Sequence, residues 1–225
     1  MPLRIGITMR VVRNDAYPEE RDALSRDWPV YINRVLPGAT LILLANRPDS
    51  AVRTIKDLEI DGIILSGGND WGKALERDRT EEEIVRYCLK RGLPVLGVCR
   101  GMQALNFLLG GQLERDIRKA SKENHAGTIH NIYIKEGGIF QKLAKGTVER
   151  VNSFHEHGVL AGEAAPQLEI FAMSKGGVIE GICHRTKPVI GIQWHPERKN
   201  GKAASFDKQL INNLFNKGAF WRLNI

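Results

Sequence analysis

At 225 residues, with 42% hydrophobic and 26% charged content, the chain can bury one sizeable core and is neither a disordered nor a fibrous sequence. Its net charge of +7 comes from Lys and Arg scattered among Asp and Glu, with no basic block interleaved with aromatics, so no nucleic-acid interface is expected; the charge makes either a solvated basic surface or a field that gathers a small anionic substrate. No apolar run approaches the roughly 18 residues of a membrane span, the start MPLRIGITMR has no leader-like apolar stretch, and three scattered cysteines argue against a disulfide framework. One domain over residues 1–225, in the cytoplasm and with no membrane partner, is the expectation.

The predicted elements follow in chain order. Arg4 to Met9 reads as a short apolar strand. Asp22 to Leu36 carries Ala23, Leu24, Trp28, Tyr31, Ile32 and Val35 near helical spacing and stops at Pro37-Gly38. Thr40 to Leu44 is a strand, Ser50 to Leu58 a helix, and Asp61 to Leu65 a buried strand ending in Ser66-Gly67-Gly68. Thr80, with Glu83 three residues on, predicts a capped helix through Arg91. A strand over Leu93 to Val98 and a helix over Gly101 to Leu109 complete a β-α alternation, the pattern of a parallel sheet with helices on both faces. Beyond Thr128 the character changes. Thr128 to Ile134, Val148 to Asn152, Leu168 to Met173, Val178 to His184 and Val189 to Trp194 predict an antiparallel extension, closed by a helix over Ser205 to Asn216.

Chemistry concentrates in three motifs. In Gly97-Val98-Cys99-Arg100-Gly101 a strand runs into a turn and a helix leaves it, with glycines where side chains would collide. The helix N-terminus favours a thiolate at Cys99; Cys88 and Cys183 fall inside elements and read as buried structural cysteines. In Gly191-Ile192-Gln193-Trp194-His195-Pro196-Glu197 an apolar strand ends at His195. Pro196 favours extended backbone there, so Glu197 reaches back to one imidazole nitrogen while the other faces a sulfur, the nucleophile–base–orienter logic of a triad. Ser66-Gly67-Gly68-Asn69-Asp70 follows a strand. Its glycines free backbone amides, and those of Gly68 and Arg100 form a candidate oxyanion hole. His155-Glu156-His157 holds metal-ligating types but not a complete set, so no metal is expected, and no organic cofactor is implied.

GVCRGMQ, GIQWHPE and SGGND together resemble a class I glutamine amidotransferase domain, and within it the γ-glutamyl hydrolase branch that works without a fused synthase. The resemblance covers nearly the whole chain. It implies a flavodoxin-like α/β fold, mostly parallel, and a Cys99–His195–Glu197 triad that cuts γ-glutamyl amides. It also implies glutamyl contacts at Gln103 and at Asn152, Ser153, Phe154 and His155. His125 and His130 lie in ENHAG-x-x-H, a stretch like one in this branch, or are ordinary loop or core histidines.

A narrower similarity, in GITMRVVRNDAYPEERDALSRDW, ILSGGND, GVCRGMQ, VNSFH and WHPERKNG, is to the γ-glutamyl-CDP-amidate hydrolases of capsule phosphoramidate synthesis. It implies a nucleotide-linked substrate; Arg10, Arg13 and Arg21 either meet its pyrophosphate or form a solvated helix face. The loop Asp70 to Arg79 is shorter than the insertion of larger γ-glutamyl hydrolases, which leaves the leaving-group pocket open. A γ-glutamyl-γ-aminobutyrate or other γ-glutamylamine hydrolase, and a glutaminase subunit serving a synthase, are the alternatives. The sequence does not define an oligomer.

Overall fold

A computed structural model describes residues 2–198 and 204–222. In chain order the elements are β1 (Arg4–Thr8), β2 (Arg10–Arg13), β3 (Glu20–Ala23), α1 (Asp27–Val35), β4 (Thr40–Leu44), α2 (Pro48–Asp57), β5 (Gly62–Leu65), α3 (Leu75–Arg91), β6 (Val95–Val98) and α4 (Arg100–Leu108). There follow α5 (Ile117–Ser121), β7 (Ala126–Ile134), α6 (Ile139–Ala144), β8 (Val148–Phe154), β9 (Leu168–Met173), β10 (Ile179–His184), β11 (Val189–Ile192) and α7 (Ala204–Lys217).

Nine strands form one sheet in the order β4-β1-β5-β6-β11-β10-β9-β7-β8. The β4 to β11 half is parallel, and each further pair is antiparallel. Alternation along the central strands sorts their side chains onto two faces. Ile64, Leu96 and Val98 pack with Trp28, Tyr31, Ile32 and Val35 of α1 and with Leu210, Ile211 and Leu214 of α7. Ile63, Leu65 and Val95 pack with Ala51 and Ile55 of α2, Ile84 and Cys88 of α3, and Leu105 of α4. The α/β class with helices on both faces is thus the observed one.

Three expectations change. The segment Asp22 to Leu36 is not one helix: β2 and β3 form a separate two-stranded hairpin, and α1 starts only at Asp27. Asp22 is fixed in the extended segment because its carboxylate accepts the Asn46 amide N–H at 2.9 Å. Thr80 does not cap α3, which begins at Leu75; its hydroxyl donates to the Glu76 carbonyl, 2.7 Å away, in mid-helix. The strand at Val189 pairs antiparallel with β10 on one edge only, and its other edge belongs to the parallel half. It runs parallel to β6 in register Ile192↔Val98, which brings the ends of the two strands together.

The turn between β6 and α4 has no spare volume. A Cβ on Gly101 would lie 2.1 Å from the Leu65 carbonyl oxygen, and one on Gly97 would lie 2.6 Å from the Gly101 carbonyl. Both obstacles are backbone, so neither can swing aside. Gly101→Ala is expected to destabilise the fold by at least ~3 kcal/mol, the upper end of overpacking costs. Gly146→Ala, where a Cβ meets nothing within 4 Å, is expected to stay within ~0.5 kcal/mol. Urea unfolding of the two variants checks this.

Candidate active site

β5, β6 and β11 are neighbours, and their C-terminal ends carry Ser66-Gly67-Gly68, Cys99 and Gln193-Trp194-His195 respectively. Loops at the carboxyl edge of a parallel sheet share one crevice. Here the crevice is a cavity of about 720 Å³ lined by Cys99, His195 and Glu197, by Gly67 and Gly68, and by Gln103, Phe154 and His155 among others.

Cys99 caps α4 with φ 52° and ψ −108°, left-handed backbone that only over-determined surroundings hold in a residue with a Cβ. Its amide N–H donates to the Ile192 carbonyl, 2.8 Å away, tying the turn to β11. His195 comes to it over Gly67, where a Cβ would meet His195 Cε1 at 2.7 Å and Cys99 Cβ at 3.5 Å. His195 Nδ1 is 2.7 Å from Glu197 Oε1, so Nε2 is the nitrogen that faces Cys99. Burial pulls the His195 imidazolium toward neutrality. The charge of the facing Cys99 sulfur and its hydrogen bond, with Glu197 behind, outweigh that and raise its pKa to about 9. Cys88 and Cys183 are buried away from the cavity, and burial pushes both thiols up to about 12.

The backbone of His195 is held by Asn152, whose Oδ1 accepts its N–H at 2.9 Å and whose Nδ2 donates to its carbonyl at 2.8 Å. Asn152 and Ser153 are fully buried and do not line the cavity; the Ser153 hydroxyl donates to the His125 carbonyl at 2.7 Å. They hold the wall, whereas Phe154 and His155 form it. Gln103 lines the cavity with its amide nitrogen donating to the His157 carbonyl at 2.8 Å.

Beneath the Ser66-Gly67-Gly68 loop lies a charge network that no sequence motif marks. Arg77, with no exposed surface, donates to the carbonyls of Ser66, Gly67 and Gly68, and its Nε donates to Glu81 at 3.0 Å. Glu81 also accepts from Thr8 Oγ1 at 2.7 Å and from Arg100, which pairs with Asp78 as well and lies 5.0 Å over the Trp71 ring. Two guanidinium groups thus meet two carboxylates in the dry interior. Burial still lowers Arg77 to about 10 and Arg100 to about 9. The consequence for the site is geometric. The C=O and N–H of a trans peptide point opposite ways, so turning the Gly67 carbonyl in toward Arg77 turns the Gly68 N–H outward. The Arg100 N–H, in the first turn of α4, has no intrahelical acceptor.

Of the arginines expected near the mouth, Arg10 alone lines the cavity, its side chain lying over Gly68. Arg13 and Arg21 are exposed and pair with Glu20 and Glu19 at 2.7 and 2.8 Å. Arg198 joins the lining unannounced by the sequence, its Cζ 4.2 Å over the Phe154 ring. Asn69 explains its own motif, clamping Val11 of the hairpin through both amide atoms at 2.8 and 3.0 Å. The loop after the glycines ends at Ala74, because Asp78 and Arg79 already belong to α3. Lys199, Asn200 and Gly201 of the WHPERKNG stretch lie outside the described residues.

Residues 4–197 match the peptidase C26 family. The γ-glutamyl-CDP-amidate hydrolase of Campylobacter jejuni is 32% identical over 205 residues, covering 88% of this chain and 91% of that protein. Among solved structures, a Thermoplasma acidophilum protein described as one component of a GMP synthase superposes with a TM-score of 0.72 at 16% identity, over 96% of this chain and 94% of that one. A glutamine amidotransferase from Thermotoga maritima gives 0.62 at 16% identity, over 95% and 83%. The fold is therefore that of the class I glutamine amidotransferases, flavodoxin-like α/β. No helix among the described residues is long and apolar enough to cross a membrane.

Arg77→Met removes one member of the buried charge network, takes one of three donors from Glu81 and removes the Arg77 donors of three carbonyls. A loss of ~3–5 kcal/mol is expected. Arg77→Lys keeps the charge but not the planar fork and is expected to fall between Arg77→Met and the parent. Thermal and urea unfolding of the pair test the ranking.

Proposed function

This chain belongs to the peptidase C26 family, and from that membership and the geometry at Cys99 we propose that it is a cysteine hydrolase of γ-glutamyl amide bonds, residues 1–225 acting as one catalytic domain. One observation carries the reading: a cysteine on left-handed backbone at a strand–helix elbow faces a histidine whose far nitrogen is fixed 2.7 Å from a buried glutamate. The triad is Cys99 as nucleophile, His195 as base and acid, and Glu197 as orienter.

Cys99 Sγ attacks the γ-carbonyl carbon, and the oxygen that becomes negative is met by the outward amides of Gly68 and Arg100. As the tetrahedral centre collapses, the C–N bond breaks and the His195 imidazolium gives its Nε2 proton to the departing nitrogen. The resulting glutamyl thioester is cut by water, whose proton returns to His195, and glutamate leaves with the thiolate restored. Gln103, Phe154 and His155 form the glutamyl wall.

The substrate proposed is γ-glutamyl-CDP-amidate, giving glutamate and CDP-amidate for modification of a capsule polysaccharide. Supporting it are the relative of that name, similar along nearly its full length, and two arginines, Arg10 and Arg198, on a cavity roomy enough for more than a glutamyl group. A pyrophosphate gains charge-assisted hydrogen bonds from them that ammonia or a neutral amine does not.

Glutamate release from a panel of γ-glutamyl compounds tests the proposal. kcat/KM should be highest for γ-glutamyl-CDP-amidate, fall more steeply with salt for it than for γ-glutamyl-γ-aminobutyrate, and be small for glutamine. Cys99→Ala should abolish release, while Cys88→Ala and Cys183→Ala retain most of it. A preference for γ-glutamyl-γ-aminobutyrate without a salt effect places the chain with the γ-glutamylamine hydrolases. Brisk glutaminase activity that rises on adding a synthase makes it a glutaminase subunit.

The pH profile has a defined sign. Acylation consumes the His195 proton, so kcat/KM falls as pH rises through about 9. Glu197 helps keep that proton on, and Glu197→Gln should move the alkaline limb to lower pH. Because the amide oxygen still orients the ring, it should cost less activity than His195→Ala. Rate profiles of the three proteins measure both effects.

A further inference from the structure

Beside the cleft, three histidines converge on one glutamate that the mechanism does not use. Glu180 of β10 is fully buried. Its Oε1 lies 3.3 Å from Nδ1 of His125, just before β7, 3.3 Å from Nε2 of His130 in β7, and 3.8 Å from Nε2 of His155, just after β8. Among the described residues neither oxygen of Glu180 accepts a hydrogen bond of good geometry, and Nε2 of His125, of His130 and of His155 makes none either.

The outer nitrogen of His155 says where its ring proton sits. His155 Nδ1 is 2.9 Å from the His157 carbonyl, which only accepts, so Nδ1 carries the hydrogen and a neutral ring presents the Nε2 lone pair to Glu180. His125 Nε2 lies 3.4 Å from the Glu123 carboxylate without good hydrogen-bond geometry, and its Nδ1 lies 3.3 Å from Glu180 and 3.5 Å from the Ser153 hydroxyl. The His155 lone pair, aimed at a buried carboxylate that accepts no hydrogen bond of good geometry among the described residues, repels it unless a cation lies between them.

The spacing suits a metal. Bonds of ~2.0–2.2 Å in a tetrahedron set ligand atoms roughly 3.3–3.6 Å apart, against the observed 3.3, 3.3 and 3.8 Å from Glu180 Oε1. Donor atoms of His125, His155 and Glu180 all fall within 4.8 Å of one another, so closure needs only side-chain rotation. Glu123 behind His125 and the His157 carbonyl behind His155 are the outer partners that metal-bound imidazoles take. A second cavity of about 340 Å³, lined by His125 and His155, gives a way in.

We propose that His125, His155 and Glu180, with His130 beside Glu180, bind one divalent transition metal of the zinc class, apart from Cys99, and that it braces β7, β8 and β10 behind the His155 wall of the cleft. Imidazole-rich N/O sets of this kind suit zinc and cobalt over magnesium or calcium.

The test uses full-length Cys99→Ser protein, which removes the exposed-cavity thiol as a competing ligand, stripped with chelator and titrated with Co²⁺ and then Zn²⁺. Expected are one Co²⁺ per chain with the visible absorption of a four-coordinate site, its displacement by Zn²⁺, and a Tm that rises with Zn²⁺. Glu180→Gln should weaken Co²⁺ binding at least 100-fold, and Glu123→Gln, at a partly exposed position that does not threaten folding, by about 10–100-fold. Absence of the band in the stripped parent overturns the proposal, as does an unchanged Kd in Glu123→Gln together with a folded Glu180→Gln. A cluster held by protons alone would bind no Co²⁺ and would lose stability as pH rises through the histidine range.

Discussion

Where α4 meets β6, the backbone of Gly101 passes so close to the Leu65 carbonyl that not even a methyl group fits between them. That approach forces the chain to leave β6 through a tight turn, and Cys99, at the apex, takes a left-handed conformation. Its amide is then anchored on β11 and its side chain is left over the C-terminal edge of the sheet. Everything else at the cleft is arranged around this fixed point. β11 joins β6 in parallel register and so ends beside Cys99, which is why His195 arrives there from 96 positions further along the chain.

The cleft floor is held by charge. Arg77 grips three successive carbonyls of the loop after β5, and Glu81, Asp78 and Arg100 complete a network whose two positive and two negative groups balance. Such a network adds little net stability over a well-packed apolar core, but breaking one member is costly. Its value here is directional: it sets which way the Gly68 amide points. The same balance appears at His195, where the Cys99 sulfur and Glu197 on either side outweigh its burial.

The residues that meet at the cleft were more legible in the sequence than what holds them there. Cys99, His195 and Glu197 stood in short motifs at element boundaries, where glycine and proline mark backbone requirements that packing alone does not explain. The parallel half of the sheet was legible because its strands are continuous apolar runs. The Arg77 network was not legible, since charged residues at the start of a helix read as solvated surface, and that also set the start of α3 too late. The hairpin of β2 and β3 was hidden by apolar residues whose spacing suits a helix, while Asn69 and Asn46, distant in sequence, fix it as extended chain. Asn152, which the resemblance places at the glutamyl group, secures the backbone of His195. A motif match finds the residue but not the neighbour it serves.

A glutamyl thioester at Cys99, common to every substrate, is the intermediate on which the proposed chemistry turns. Hydroxylamine added during turnover competes with water for that intermediate, so the ratio of γ-glutamyl hydroxamate to glutamate reports its identity. One ratio is predicted for γ-glutamyl-CDP-amidate, γ-glutamyl-γ-aminobutyrate and any other substrate turned over, because the leaving group has departed before the competition begins. A ratio that changes with the leaving group would contradict a shared thioester.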